Sequence, residues 1–148
     1  GKYVAPQVLE NVFKESPFIE QLLVVGFNEK FVAGIICPSF EYLNGWAFTN
    51  GIIYRDAHEL INKKRVIERF QKEVDELNKR LSHHEQIKKF LLTCRDWTVE
   101  TGELSPTLKL KRNYLKKKYK VKLDFIYGYT EDSGDLGMPD DRTDDVME

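Results

Sequence analysis

Apolar residues recur at three- and four-residue spacing in APQVLENVFKESP, where Val8, Leu9, Val12 and Phe13 share one side. That period predicts a helix. Pro6 suits its first position, which needs no N–H. Ser16-Pro17 ends it, because the residue before a proline avoids helical backbone angles. Two apolar runs rich in Val and Ile follow, flanking Asn28-Glu29-Lys30. They predict antiparallel strands over about 19–28 and 31–37, joined by a tight turn, with Pro38 closing the second. SFEYLNGWAFTNG predicts a short helix with Phe40, Leu43, Trp46 and Ala47 inward, stopped at Gly51. Asp56 followed by Glu59 has the spacing of a capping box. From there to about Ser82 one or two helices carry Val66, Phe70, Val74, Leu77 and Leu81 on one stripe; the repeat is too short for a coiled coil. IKKFLLTC predicts a third strand over about 87–94. A loop, RDWTVETGELSPT, leads to a basic segment that is helical from about Lys111, and LDFIYG forms a short terminal element. Each apolar face needs a covering layer, so the expected fold is α+β, a small mixed or antiparallel sheet flanked by helices.

The chain has 148 residues, 41% of them hydrophobic, which suits one domain with its own core. Residues 1–127 are expected to form it. Residues 128–148 are acidic, with Gly, Pro and Ser and few apolar side chains, and read as a tail without a core. The formal net charge is −1, which gives no overall bias toward nucleic acid. No run is long enough to span a bilayer, and the cytoplasm is the expected location. The start at Gly1, without a Met, suits a piece of a longer protein. Cys37 and Cys94 read as buried thiols. His83 and His84 are adjacent, a spacing that suits solvent exposure at a helix end rather than metal ligation, and no metal site is predicted.

Lys109, Lys111, Arg112, Lys116, Lys117, Lys118, Lys120 and Lys122 form a basic run. A solvated helix face accounts for most such runs; an anion site is the sharper reading, since ammonium groups serve as point donors to phosphate and carboxylate. Nucleic-acid binding is weaker still, with only Tyr114 and Tyr119 interleaved for stacking. Lys109 stands apart. It follows the loop Ser105-Pro106-Thr107-Leu108 and precedes the helical period, so it can reach into a neighbour's cleft. No nucleophile elbow, Walker loop or dinucleotide fingerprint occurs. The chain alone shows no self-contained catalytic constellation.

Three ordered motifs carry a family likeness. The start resembles the segment beyond the hinge of acyl-adenylate-forming enzymes, where a glycine-rich turn precedes Pro-x-x-(Val/Leu)-Glu and a strand ending Val-Val-Gly. Here these are Gly1, Pro6, Leu9, Glu10, Val24, Val25 and Gly26. PSFEYLNGWAFTNGI is similar to the stretch that follows in those enzymes. WTVETGELSPTLKLKRNYLKKKY resembles the signature of long-chain acyl-CoA synthetases, with Thr101 for the usual Asn and Ser105 for the usual Thr. The likeness covers residues 1–127. It implies the mobile C-terminal domain of a long-chain fatty acid–CoA ligase, an AMP-forming acid–thiol ligase. It implies a partner N-terminal adenylation domain that binds ATP, coenzyme A, Mg2+ and the fatty acid, and an isolated domain that is inactive. By motif position Lys109 aids acyl-adenylate formation, and Gly1, Lys2 and Tyr3 belong to the loop of the thioester-forming step. The resemblance leaves open peripheral membrane association of the full-length enzyme. Other readings stay open beside it: a ligase for a medium-chain or aryl acid, or a stand-alone anion-binding or protein-interaction module.

Overall fold

The computed structural model describes residues 5–131. Helix α1 (Pro6–Phe13) has its proline in the first turn. Strands β1 (Ile19–Val25) and β2 (Val32–Pro38) pair antiparallel, with Leu22 opposite Ile36 and Val24 opposite Gly34. Helices α2 (Phe40–Thr49), α3 (Ala57–Ile61) and α4 (Lys64–Asn78) form the crossover to β3 (Ile87–Leu92), which pairs parallel to β2. Such a pairing requires a long connection over one face of the sheet. Two short helices, α5 (Arg112–Lys118) and α6 (Lys120–Ile126), complete the described chain. The sheet order is β1-β2-β3, a small mixed sheet flanked by helices as expected.

Both sheet faces are covered, which is why the strand runs are apolar without alternation. All seven residues of β2 are buried. Leu22, Val24 and Ile36 face a core with Leu9, Phe13, Leu43, Ala47, Leu60, Val66, Phe70 and Val74. Leu23, Val25, Ala33, Ile35 and Cys37 face a second core with Trp97, Leu104, Leu115, Tyr119 and Tyr127. In the first core Phe18 sits edge-on to Tyr42, Trp46 and Phe70, with centroids 4.9, 5.7 and 5.6 Å away. Each of these pairs adds about 0.5–1.5 kcal/mol beyond burial. Cys37 and Cys94 are buried, and His83 and His84 are exposed on a 3-10 turn, His83–Glu85.

Several boundaries differ from the periodicity. β1 stops at Val25 because Gly26 adopts φ 94° and turns the chain, so the connection occupies positions 26–31 rather than three residues. β3 ends at Leu92, although the Thr93 amide still donates to the Ile36 carbonyl at 2.9 Å. Asp56 caps α3 through the Glu59 amide at 2.8 Å. The Glu59 carboxylate, however, turns to the Arg55 amide and guanidinium instead of closing the box. A complete capping box forms at Ser82 and Glu85, where none was expected. Gly1, Lys2 and Tyr3 lie outside the described residues, as does the tail beyond residue 131.

Candidate functional site

Leu104 and Leu110 pair antiparallel and pinch the segment between them into a closed loop. The Ser105 amide donates to the Lys109 carbonyl at 2.8 Å, and the Lys111 amide donates to the Glu103 carbonyl at 2.8 Å. Inside the loop the Leu108 amide donates to the Ser105 carbonyl at 2.7 Å. The Lys109 amide donates to Ser105 Oγ at 3.1 Å, and Ser105 Oγ also meets Thr107 Oγ1 at 3.1 Å. Both backbone groups of Lys109 are therefore engaged, so its Cα is held on two sides. Its side chain is exposed and makes no hydrogen bond or ion pair among the described residues. Leu108, just before it, has φ 65° and is 64% exposed. That conformation is rare for a residue with a branched side chain and stores strain of about 1–3 kcal/mol.

Two ion pairs anchor the loop to the domain. Arg112 reaches Glu10 with both terminal nitrogens, each 2.7 Å from a carboxylate oxygen. Glu10 Oε2 also accepts the Val24 amide at 2.9 Å, on the open edge of β1. The Glu10 side chain is 4% exposed. One carboxylate thus ties α1, β1 and the start of α5 together, across 102 positions of sequence. A buried carboxylate is tolerated because its lone pairs are met. On the other side Lys118 pairs with Glu103 at 2.7 Å, both nearly fully buried. Glu103 Oε1 accepts the Thr98 amide at 3.0 Å and the Thr101 hydroxyl. Trp97 Nε1 donates to the Tyr119 hydroxyl at 3.2 Å, and Tyr114 donates to the Thr101 carbonyl at 3.2 Å.

The basic run is thus divided in use. Arg112 and Lys118 bind internal carboxylates, Lys120 pairs with Asp124 at 2.7 Å, and Lys122 is 2% exposed. A uniformly solvated face would not bury Lys118 and Lys122; Lys116, Lys117 and Lys120 remain exposed. Lys111 lies over the Tyr114 ring, 5.8 Å from its centroid. Lys109 instead lines a groove of about 230 Å³ with Gln7, Glu10, Lys14, Gln21 and Arg112. Glu10 carries a signal that periodicity alone undervalues. It sits next to Leu9 and three residues before Phe13, on the buried side of α1, where a carboxylate requires a cation or amide partners. Glu103 and Trp97 have no comparable local signature.

Comparison with known proteins gives this geometry its context. Long-chain-fatty-acid–CoA ligase FadD15 of Mycobacterium tuberculosis is 34% identical over 128 residues, covering 86% of this chain and 21% of its own. Long-chain-fatty-acid–CoA ligase 6 of Mus musculus is 34% identical over 130 residues, covering 86% and 18%. The chain spans about a fifth of the length of these curated relatives. Among solved structures, the adenylation domain of a carboxylate reductase from Mycobacterium chelonae superposes with TM-score 0.68 at 25% identity, over 86% of this chain and 18% of that one. The family described as AMP-binding enzyme C-terminal domain matches residues 1–131, and the chain belongs to that family.

Proposed function

We propose that this chain is the C-terminal lid of an ATP-dependent long-chain fatty acid–CoA ligase, and that Lys109 serves its first half-reaction. The observation that carries the assignment is a lysine held by its backbone at a closed loop, with an ammonium that no described group neutralises. In that half-reaction a carboxylate oxygen attacks the α-phosphorus of ATP, and the bond to the bridging oxygen breaks to release pyrophosphate. Carboxylate and polyphosphate repel each other. An ammonium placed between them offsets that repulsion and stabilises the charge that develops in the transition state. In the second half-reaction the CoA thiol attacks the acyl carbon, AMP leaves, and the thiol proton passes to solvent. Gly1, Lys2 and Tyr3 are the candidates for that step. A lid that reorients between steps can withdraw the lysine when it is no longer wanted.

The long-chain ligases among the relatives favour a fatty acid over a medium-chain or aryl acid. The carboxylate reductase neighbour is itself an adenylation domain, in keeping with the first half-reaction. Magnesium, the nucleotide and CoA are assigned mainly to the N-terminal adenylation domain. Among the described residues no three His, Cys, Asp or Glu side chains converge to hold a metal. The stand-alone basic module is disfavoured because Arg112, Lys118, Lys120 and Lys122 are occupied or buried within the domain. In the full-length enzyme Lys109→Ala should slow acyl-adenylate formation by roughly a hundredfold, about 3 kcal/mol. Thioester formation from supplied acyl-adenylate should be spared. Equal loss in both halves, or in neither, removes the assignment and makes Lys111 the next candidate.

A further inference from the structure

The groove beside Lys109 contains a second cation that this mechanism leaves unused. Gln7, Asn11 and Lys14 follow one another at i, i+4 and i+7 along α1 and its C-cap, so they line one wall. Gln21 of β1 and the loop residues Leu108, Lys109 and Leu110 form the rest. Among the described residues the side chains of Gln7, Asn11, Lys14, Gln21 and Lys109 make no hydrogen bond or ion pair with one another or with the fold. Glu10 is the single carboxylate among the lining residues, and it is engaged by Arg112 and the Val24 amide. The Glu10–Arg112 pair cancels itself. Among the described residues two ammonium charges are left without a counter-charge, surrounded by neutral amides that can donate hydrogen bonds.

This donor set selects a ligand class. A lone carboxylate is best met by the planar fork of a guanidinium, whereas ammonium groups act as point charges that suit phosphate oxygens. Cations on two walls favour an anion with charge at both ends. Among the described residues no aromatic side chain lines the groove, so they offer nothing on which a base would stack. We propose that the groove is a phosphoanhydride-binding site, with Lys14 as its second binding residue opposite Lys109. Its occupant is either the polyphosphate of the nucleotide or the pyrophosphate leaving after adenylation. The proposal rests on the lid reading for its setting, and on the groove's own charge for its chemistry.

Kinetics of Lys14→Ala, Lys14→Arg and Lys14→Glu in the full-length enzyme, with Lys109→Ala alongside, test it. If the nucleotide occupies the groove, Lys14→Ala raises KM for ATP roughly two- to fivefold, the order expected of one charged contact at a solvent-open site. The larger part of the effect lies in KM rather than kcat, Lys14→Arg restores most of it, and Lys14→Glu is worse. If the released product is the occupant, KM for ATP holds, and the inhibition constant for inorganic pyrophosphate rises by a similar factor. A direct arm titrates this chain with inorganic pyrophosphate up to about 50 mM at constant ionic strength, a range that reaches constants weaker than about 1 mM, following the side-chain amides of Gln7, Asn11 and Gln21 by NMR. They should shift together, and Lys14→Glu should abolish the shift. Unchanged constants for both ligands, or amides that do not respond, overturn the proposal. Should Lys109→Ala leave adenylation intact, the lysine assignment fails on its own, while the pyrophosphate titration still decides the groove.

Discussion

Gly26 shows how one residue sets both a strand end and a contact between distant segments. Its φ of 94° lies in the region that side chains rarely adopt. A Cβ there would overlap the Tyr127 hydroxyl and come within 2.7 Å of the Phe31 carbonyl oxygen. That hydroxyl donates to the same carbonyl at 3.0 Å. Gly26→Ala should therefore destabilise the domain by about 2–4 kcal/mol, the sum of backbone strain and steric displacement. Denaturant unfolding measures it. The Tyr127 phenol supplies a second readout, since burial first, then the charge of Glu29, pushes its pKa up to about 12. The fold favours the neutral phenol. Its contribution is whole below the ordinary value of about 10 and is lost as pH rises through the folded value. If Ala displaces the ring, the Tyr127 phenol should titrate nearer its ordinary value in an ultraviolet titration, with Tyr127→Phe identifying the signal. An alanine variant as stable as the parent would show that the connection relaxes freely.

Among the elements, what the sequence reveals depends on the range of the interaction. Helical period located α1, α2 and α4, because Leu9 and Phe13, Leu43 and Ala47, and Val66, Phe70 and Val74 each bury a face of their own helix. Apolar runs located β1 and β2, although they could not say which residue faces which core. Their ends were less legible, since Gly26 acts through its backbone angle and the partial cap at Asp56 depends on where Glu59 turns. The proposed role of Lys109 rests on the motif, while its exposed loop position was legible from its place after a Ser-Pro-Thr stretch. Its anchors were not, because Glu10 and Arg112 meet across 102 positions and leave no local period. Their pairing makes a prediction at this scale. Glu10→Ala removes the acceptor of the Val24 amide and the carboxylate of a mostly buried pair, and should cost about 3 kcal/mol. Glu10→Gln keeps an acceptor and should cost less, about 1–2 kcal/mol. Denaturant midpoints should follow that order, with faster amide exchange at Val24 in the alanine variant. Equal midpoints for parent and Glu10→Ala would mean that α1 and α5 are held by packing alone.

For the molecule as a whole, the lid reading has the described domain supply one wall of a site and another body the opposite wall. Its lysine loop and groove are open to solvent, and the Lys109 and Lys14 ammonium groups are exposed. Ligand sites that hold small molecules tightly enclose most of the ligand surface with convergent donors. Here an anion meets two ammonium groups and a few amides. Each exposed charge contact is worth about 0–1 kcal/mol and is screened by salt. Their sum falls short of the roughly 4 kcal/mol that corresponds to a millimolar constant. We therefore expect this chain alone to bind ATP and CoA more weakly than about 1 mM at moderate salt, and to form no acyl-adenylate. Calorimetry with each ligand checks the first expectation. A low-micromolar constant corresponds to about 8 kcal/mol, which an open groove with two exposed cations cannot supply. Finding one would mean that the domain carries a complete binding site of its own, and would turn the assignment from a lid toward a stand-alone anion-binding module.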